Sequence, residues 1–204
     1  MSLAKSKPAK KSTATLERRA VMRALVAKRG DLLVVSGLGS ATYDLAAAGD
    51  NPRNFYLWGA MGGATLIGLG LALAQPKRRV LVVTGDGEML MGMGGLATVA
   101  VQHPNNLAIV VIDNERYAET GLQETHTAHG CDLAGIAAAS GIKDVRTVRT
   151  GAELKALAPL LRRAPGPLFA TIKVTPDRPP FVLPSNDGVY IKNRFREAVL
   201  GAAR

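Results

Sequence analysis

Two glycines flank a carboxylate at Gly85-Asp86-Gly87, and Asp113-Asn114 follows one helix-length stretch and one strand-like stretch later. Asp86 and the amide oxygen of Asn114 are hard oxygen donors of the kind Mg²⁺ takes, and backbone N–H groups where a strand turns into a helix favour an anion. A metal ion and a phosphate could share that spot if the two loops meet; a tight turn whose aspartate only caps a helix is the alternative. Gly37-Leu38-Gly39-Ser40 is a second glycine loop. It could open a dinucleotide site, but Thr42 stands where a third glycine belongs and no acidic residue ends the 55–58 segment to hold a ribose. His126-Thr127-Ala128-His129 spaces two imidazoles one helical turn apart, with only Cys131 and Asp132 nearby to complete a zinc site. His126 is also a candidate proton donor at the mouth of a site, and His103, before Pro104, reads as surface.

Parallel strands are the elements that can position these loops. Residues 31–36, 79–84 and 106–112 are short, continuously apolar and rich in branched side chains, the pattern of strands buried on both faces; 168–174 is a further strand and 144–148 a weaker one. Stretches of helical length lie between them, at 62–74, 94–102, 132–140 and 151–162, with a helix at 16–28 before the first strand and one near 189–203 after the last. The alternation predicts an α/β fold: a doubly wound, mainly parallel open sheet with helices on both faces. In such a sheet ligands bind beyond the carboxyl ends of the strands, where the loops after Ser36, Thr84 and Ile112 stand.

The chain has 204 residues, 47% of them hydrophobic and 21% charged, enough for one globular core. Residues 1–14 are expected to form a flexible basic tail and 15–204 a single domain. The net charge of +10 does not imply nucleic-acid binding, because half of the excess lies within residues 1–19 and the remainder has few aromatics for base stacking. The longest uncharged apolar stretch, residues 60–74, is shorter than the ~20 residues a membrane span needs. No signal core forms, and the single Cys131 fits a reducing cytoplasm.

The order Gly-Asp-Gly, buried strand, Asp-Asn resembles the signature of thiamine diphosphate enzymes. The upstream segment 55–64, Phe-Tyr-Leu-Trp-Gly-Ala-Met-Gly-Gly-Ala, and the downstream segment 117–125, Tyr-Ala-Glu-Thr-Gly-Leu-Gln-Glu-Thr, extend the likeness, which runs over residues 32–142 and is closest to the sulfopyruvate and phosphonopyruvate decarboxylase group. The resemblance implies a thiamine diphosphate- and Mg²⁺-binding subunit of a 2-oxo acid decarboxylase. Asp86 and Asn114 would bind the metal through side chains and Arg116 through its carbonyl. Met61 would be the apolar wedge that bends the cofactor, and the Gly59 carbonyl would accept from the pyrimidine amino group. Ser36, Gly37, Ser40 and the N–H groups of Gly87 and Glu88 would cradle phosphate oxygens, with Gly85, Ala60, Tyr117 and Ala118 completing the cofactor wall. Thr120, Gln123, His126 and Tyr117 are the candidates for the substrate side. Three residues depart from the family pattern: Glu88 stands for a small residue, Asp113 for the first Asn and Arg116 for a Gly.

In this family a glutamate that touches the pyrimidine ring belongs to a different domain, and the residues before the first strand are too few to build one. The resemblance therefore implies a pyrimidine-binding α subunit that supplies the catalytic glutamate, in an α2β2-type hetero-oligomer, with a homodimer possible for the isolated chain and a small 2-oxo acid as substrate. A non-catalytic or regulatory cofactor-binding subunit and a dinucleotide-dependent oxidoreductase are the alternatives.

Overall fold

The computed structural model describes residues 15–201, so the expected basic tail over residues 1–14 lies outside the described residues. The strands in chain order are β1 (Leu33–Ser36), β2 (Asn54–Tyr56), β3 (Val80–Gly85), β4 (Leu107–Asp113), β5 (Arg116–Tyr117), β6 (Gln123–Glu124), β7 (Asp144–Val148) and β8 (Leu168–Lys173). The helices are α1 (Arg18–Val26), α2 (Ser40–Ala47), α3 (Ala64–Ala74), α4 (Asp86–Gly92), α5 (Gly95–Gln102), α6 (Leu133–Ala139), α7 (Gly151–Arg163) and α8 (Gly188–Leu200). Six strands form one parallel sheet in the order β2-β1-β3-β4-β8-β7, while β5 and β6 make a small antiparallel hairpin above it.

The continuously apolar strands sit where burial on both faces requires them. Along β4, Ala108, Val110 and Ile112 enter one core with α1, α2 and α7, whereas Leu107, Ile109 and Val111 enter the other with α3, α4, α5 and α6. The helix after β1 therefore covers one face and the helix after β3 the opposite face. Strands β1 and β3 are neighbours, with Ser36 beside Val83, so a crevice opens between their carboxyl ends. Pairing of β4 with β8 puts Lys173 beside Asp113 at the same edge of the sheet.

Several elements differ from the sequence reading. Strand β2 pairs on the outer side of β1 for only three residues, too few to show a period. Helix α2 packs Ala41, Leu45 and Ala46 into the core but has no marked polar face. Arg18 and Arg19, part of the charge excess of residues 1–19, stand in the first turn of α1, inside the expected helix at 16–28, where Glu17 caps it by accepting from the N–H groups of Arg19 and Ala20. At the other end of the chain, Leu16 bridges Val174 and its carbonyl accepts from Thr175 N at 2.9 Å. Among the described residues no helix is long and apolar enough to cross a membrane.

Candidate cofactor and metal site

Two adjoining cavities open at the carboxyl edge of the sheet. A narrow cleft of about 180 Å³ is lined by the loops after β1, β3 and β4 and by Met61. A wider one of about 440 Å³ shares Arg18, Ser40, Asn114 and Ala118 with it and is closed on the far side by Asp177, Arg178, Pro179, Pro180 and Phe181. Gly85, Asp86, Gly87, Glu88, Asn114, Arg116, Tyr117, Ala118 and Thr120 all reach the narrow cleft, as do Ser40 and Met61. Residues separated by a helix and a strand in the chain thus meet because β3 and β4 run side by side, Gly85 next to Ile112.

Asp86 opens α4 and is 2% exposed. Its Oδ2 accepts from Thr125 Oγ1 at 2.5 Å and from Thr127 Oγ1 at 3.2 Å, and Thr127 also reaches Asp113 Oδ1 at 2.8 Å. Burial pushes the Asp86 carboxyl above the usual carboxylate range, and the negative charge of Asp113 adds to that shift; the threonine hydrogen bonds work against it. Lys173 answers Asp113, with Nζ 2.8 Å from Asp113 Oδ2 and 2.7 Å from Glu115 Oε1. Burial lowers the lysine's proton affinity, but the two carboxylates outweigh it and hold the ammonium above its ordinary pKa.

Asn114 Oδ1 accepts from Arg116 N at 2.9 Å, which fixes the amide so that its oxygen side follows the loop. The left-handed residue in that loop is Glu115, φ 62°, and not Arg116, so the arginine at the family's glycine position carries no backbone strain of that kind. Its guanidinium turns away, to Glu115 O and Glu124 Oε1. Asp86 and Asn114, which line one cleft, carry oxygen donors of the kind a hard divalent cation such as Mg²⁺ takes, and the backbone of Arg116 follows beside them. Among the described residues no group of three or more His, Cys, Asp or Glu is placed to hold a metal.

Other candidates lie elsewhere. Ser36 Oγ is buried against Thr42 Oγ1 at 2.8 Å, and Thr42 Oγ1 in turn donates to Gly37 O, so the residue at the third-glycine position fills its turn with a side chain. Ser36, Gly37, Gly59 and Ala60 do not line the narrow cleft. Ala60 is left-handed, φ 55°, and its carbonyl accepts from Gly63 N, a turn that presents Met61, 41% exposed, to the cleft. Gln123 bonds to Thr120, while His126 is exposed in the 3-10 turn His126–His129, and neither lines either cavity. His129 faces Glu124 at 3.0 Å. A Cβ on Gly87 would stand 2.5 Å from the Tyr117 ring, so this glycine is required by the aromatic lying over it.

Glu88 is buried, and its carboxylate turns back into the β1–α2 loop. Oε2 accepts from Leu38 N at 2.9 Å and Thr84 Oγ1 at 2.8 Å, and Oε1 has no hydrogen-bond partner. The side chain fills the space that a Cβ on Gly37 would need, 1.6 Å from Oε2. Arg18, Thr125, Thr127, Glu119 and Lys173 were not singled out from the sequence as site residues, since no local spacing brings them to the sheet edge.

Residues 37–172 match the family described as thiamine pyrophosphate enzyme, C-terminal TPP binding domain. The chain is 41% identical over 187 residues to sulfopyruvate decarboxylase subunit beta of Methanothermobacter thermautotrophicus, an alignment covering 92% of this chain and 97% of that one. It is 37% identical over 157 residues to phosphonopyruvate decarboxylase of Streptomyces viridochromogenes, covering 77% of this chain and 39% of that longer protein. A solved structure from Mycobacterium smegmatis, described as that of a putative thiamin diphosphate-dependent enzyme, superposes with a TM-score of 0.63 at 25% identity, over 78% of this chain and 31% of that one. With two thirds of its length matched to the domain and the glycine-aspartate turn at the sheet edge, the chain belongs to the thiamine pyrophosphate enzyme family, as a bearer of its C-terminal TPP-binding domain.

Proposed function

We propose that this chain is the thiamine diphosphate- and Mg²⁺-binding subunit of a 2-oxo acid decarboxylase, completed by a partner chain. One observation carries the reading: Asp86 and Asn114 line the same cleft, at the carboxyl ends of adjacent strands, with the exposed Met61 in its wall. When bound, the cofactor supplies an electron sink for the pair released as CO₂ departs. Asp86 and Asn114, with the Arg116 carbonyl, would hold the metal beside the diphosphate; Thr125 and Thr127 hold the Asp86 carboxylate in place. Met61 would support the cofactor's ring system, and the Gly59 carbonyl, outside the narrow cleft, would receive the pyrimidine amino group. Tyr117 and Ala118 cover the metal loop and Thr120 lines the cleft on the substrate side, whereas Gln123 and His126, which line neither cavity, would meet a substrate only from the solvent side. The likeness to a sulfopyruvate decarboxylase subunit points to a small 2-oxo acid bearing a second anionic group.

The partner is a pyrimidine-binding α subunit that brings the catalytic glutamate, in an α2β2-type assembly. Support comes from the relative's designation as a β subunit and from exposed apolar side chains, of which Met61 lines the cleft. Met61, Leu66, Ile67, Leu73, Met91 and Met93 are exposed large apolar residues in or beside α3 and α4. The lone free Cys131 fits a reducing cytoplasm. Titration calorimetry with thiamine diphosphate, with and without Mg²⁺, and then with NADH, tests the cofactor assignment. Metal-dependent binding of thiamine diphosphate and no NADH response is the expected result; an NADH response alone refutes it. Decarboxylation of sulfopyruvate is expected only when the partner is added, and full turnover by this chain alone would refute the divided site. Glu88, a carboxylate in the wall of the cleft, favours a silent cofactor-binding subunit as the second reading, which binding without turnover in the presence of the partner would establish.

A further inference from the structure

We infer that Arg18, from the start of α1, binds the outer phosphate of the cofactor together with Ser40 and the first turn of α2, and so takes over from the β1–α2 loop amide that Glu88 occupies. The inference rests on the thiamine diphosphate reading above and adds to it a residue outside the matched span 37–172.

Arg18 is 3% exposed, yet it lines both cavities. A guanidinium so far from water needs partners. Nη1 donates to Ser40 Oγ at 2.7 Å. Nε lies 3.0 Å from Asp44 Oδ2 but out of line for a hydrogen bond, so both atoms are left without one. Asp44 is also shared, since Arg19 Nε approaches its other oxygen at 3.3 Å. One carboxylate thus faces two guanidinium groups, of which only Arg18 lines the cleft. Asp177, at the edge of the wider cavity, is the further acidic group near Asp44, and its Oδ1 accepts from Thr175.

Helix α2 has eight residues; Gly39 at its cap has φ 61° and no side chain hydrogen-bonds its first N–H groups, although the Glu119 carboxylate stands beside Gly39, 3.0 Å from where a Cβ would be. Gly39, Ser40 and Ala41 line the narrow cleft beside Arg18. A helix start of this kind together with a buried cation is an anion site. The neighbouring loop is not one. Leu38 N is already given to Glu88, and the unpartnered Glu88 Oε1 repels phosphate oxygens from that part of the wall. Of the two cations that line the narrow cleft, Arg116 is turned to Glu124, which leaves Arg18 to meet a phosphate that extends past Asp86 and Asn114.

The test compares thiamine diphosphate with thiamine monophosphate by calorimetry on the full chain in excess Mg²⁺. Since Arg18→Met removes a buried partner from Asp44, the double variant Arg18→Met/Asp44→Asn is measured beside it, with thermal melts to confirm folding. The double variant is expected to bind the diphosphate about 10- to 100-fold more weakly than the wild type, the loss typical of a charge-assisted hydrogen bond, and the monophosphate within about 2-fold. Arg18→Lys is expected to recover only part of the preference, because an ammonium cannot span two phosphate oxygens as a guanidinium does. Equal weakening of both ligands, or no change in either, overturns the role of Arg18 while leaving the cofactor assignment standing. A wild-type chain that binds neither ester overturns the cofactor assignment, and the role of Arg18 with it.

Discussion

Replacing Lys173 with methionine tests how the metal loop is held. The ammonium bridges Asp113 and Glu115, which flank the proposed ligand Asn114; Asp113 is 2% exposed and the lysine side chain 11%. Removing one partner of a buried ion pair leaves the other charge uncompensated, at a cost of about 3–5 kcal/mol. For a domain of this size that corresponds to a fall in Tm of about 6–20 °C. Glu115 can turn to solvent, but Asp113 cannot, and it then faces Asp86 across Thr127 with no cation between them. Lys173→Met/Asp113→Asn removes the stranded charge and is expected to regain at least half of the loss, a coupling measurable by a double-mutant cycle. The folded pKa of Lys173 lies above its unfolded value, so its contribution is complete below the unfolded pKa of about 10.4 and is lost only as pH rises through the higher folded value. Calorimetric melts at pH 7 and at rising pH, in low and high salt, provide the assay. A Tm for Lys173→Met within about 2 °C of wild type, or a difference erased by 0.5 M salt, would refute the reasoning, because a pair this buried is weakly screened.

Thr127→Val keeps shape but removes the hydroxyl that reaches both Asp86 and Asp113; Mg²⁺ affinity measured by calorimetry is expected to fall about 10- to 100-fold, as for the loss of an outer-shell partner. Gly92→Ala places a Cβ 2.2 Å from the Gly62 carbonyl oxygen, which pushes α4 away from the turn that presents Met61. A loss of about 1–3 kcal/mol in urea unfolding is expected, along with weaker cofactor binding. Burial tends to raise the Asp50 carboxyl, but hydrogen bonds from Arg194 and Tyr56 outweigh it and hold the group below its ordinary value. Its contribution is therefore present above about pH 3.9 and lost as pH falls through the lower folded value, so acid unfolding of Arg194→Met and wild type should differ by under about 1 kcal/mol at neutral pH and converge as Asp50 becomes protonated.

The core of the sheet was legible because strands buried on both faces leave uninterrupted apolar runs, as in Leu107–Asp113 before its final polar residue. The glycine-aspartate turn was legible because its types and order are chemically restrictive. Less could be read where pairing, not periodicity, makes the element. Asn54–Tyr56 is a strand only because β1 offers its outer edge, and Arg116–Tyr117 only because the chain folds back on Gln123–Glu124. The partners of the site were hidden for a related reason. Lys173 meets Asp113 through the β4–β8 register, and Arg18 reaches Ser40 across the α1–α2 packing, neither of which has a local signature. Glu88 stood out as a departure, but only the folded loop shows its carboxylate turned onto Leu38 N.

The bridge from Leu16 to Val174 and Thr175 has a consequence for biosynthesis. On the ribosome, the segment that carries α1 waits until β8 has emerged before its last backbone partners exist, and a contact this distant along the chain is slow to close. During that interval the nascent polypeptide holds the glycine turn and Met61 but not the finished rim around them.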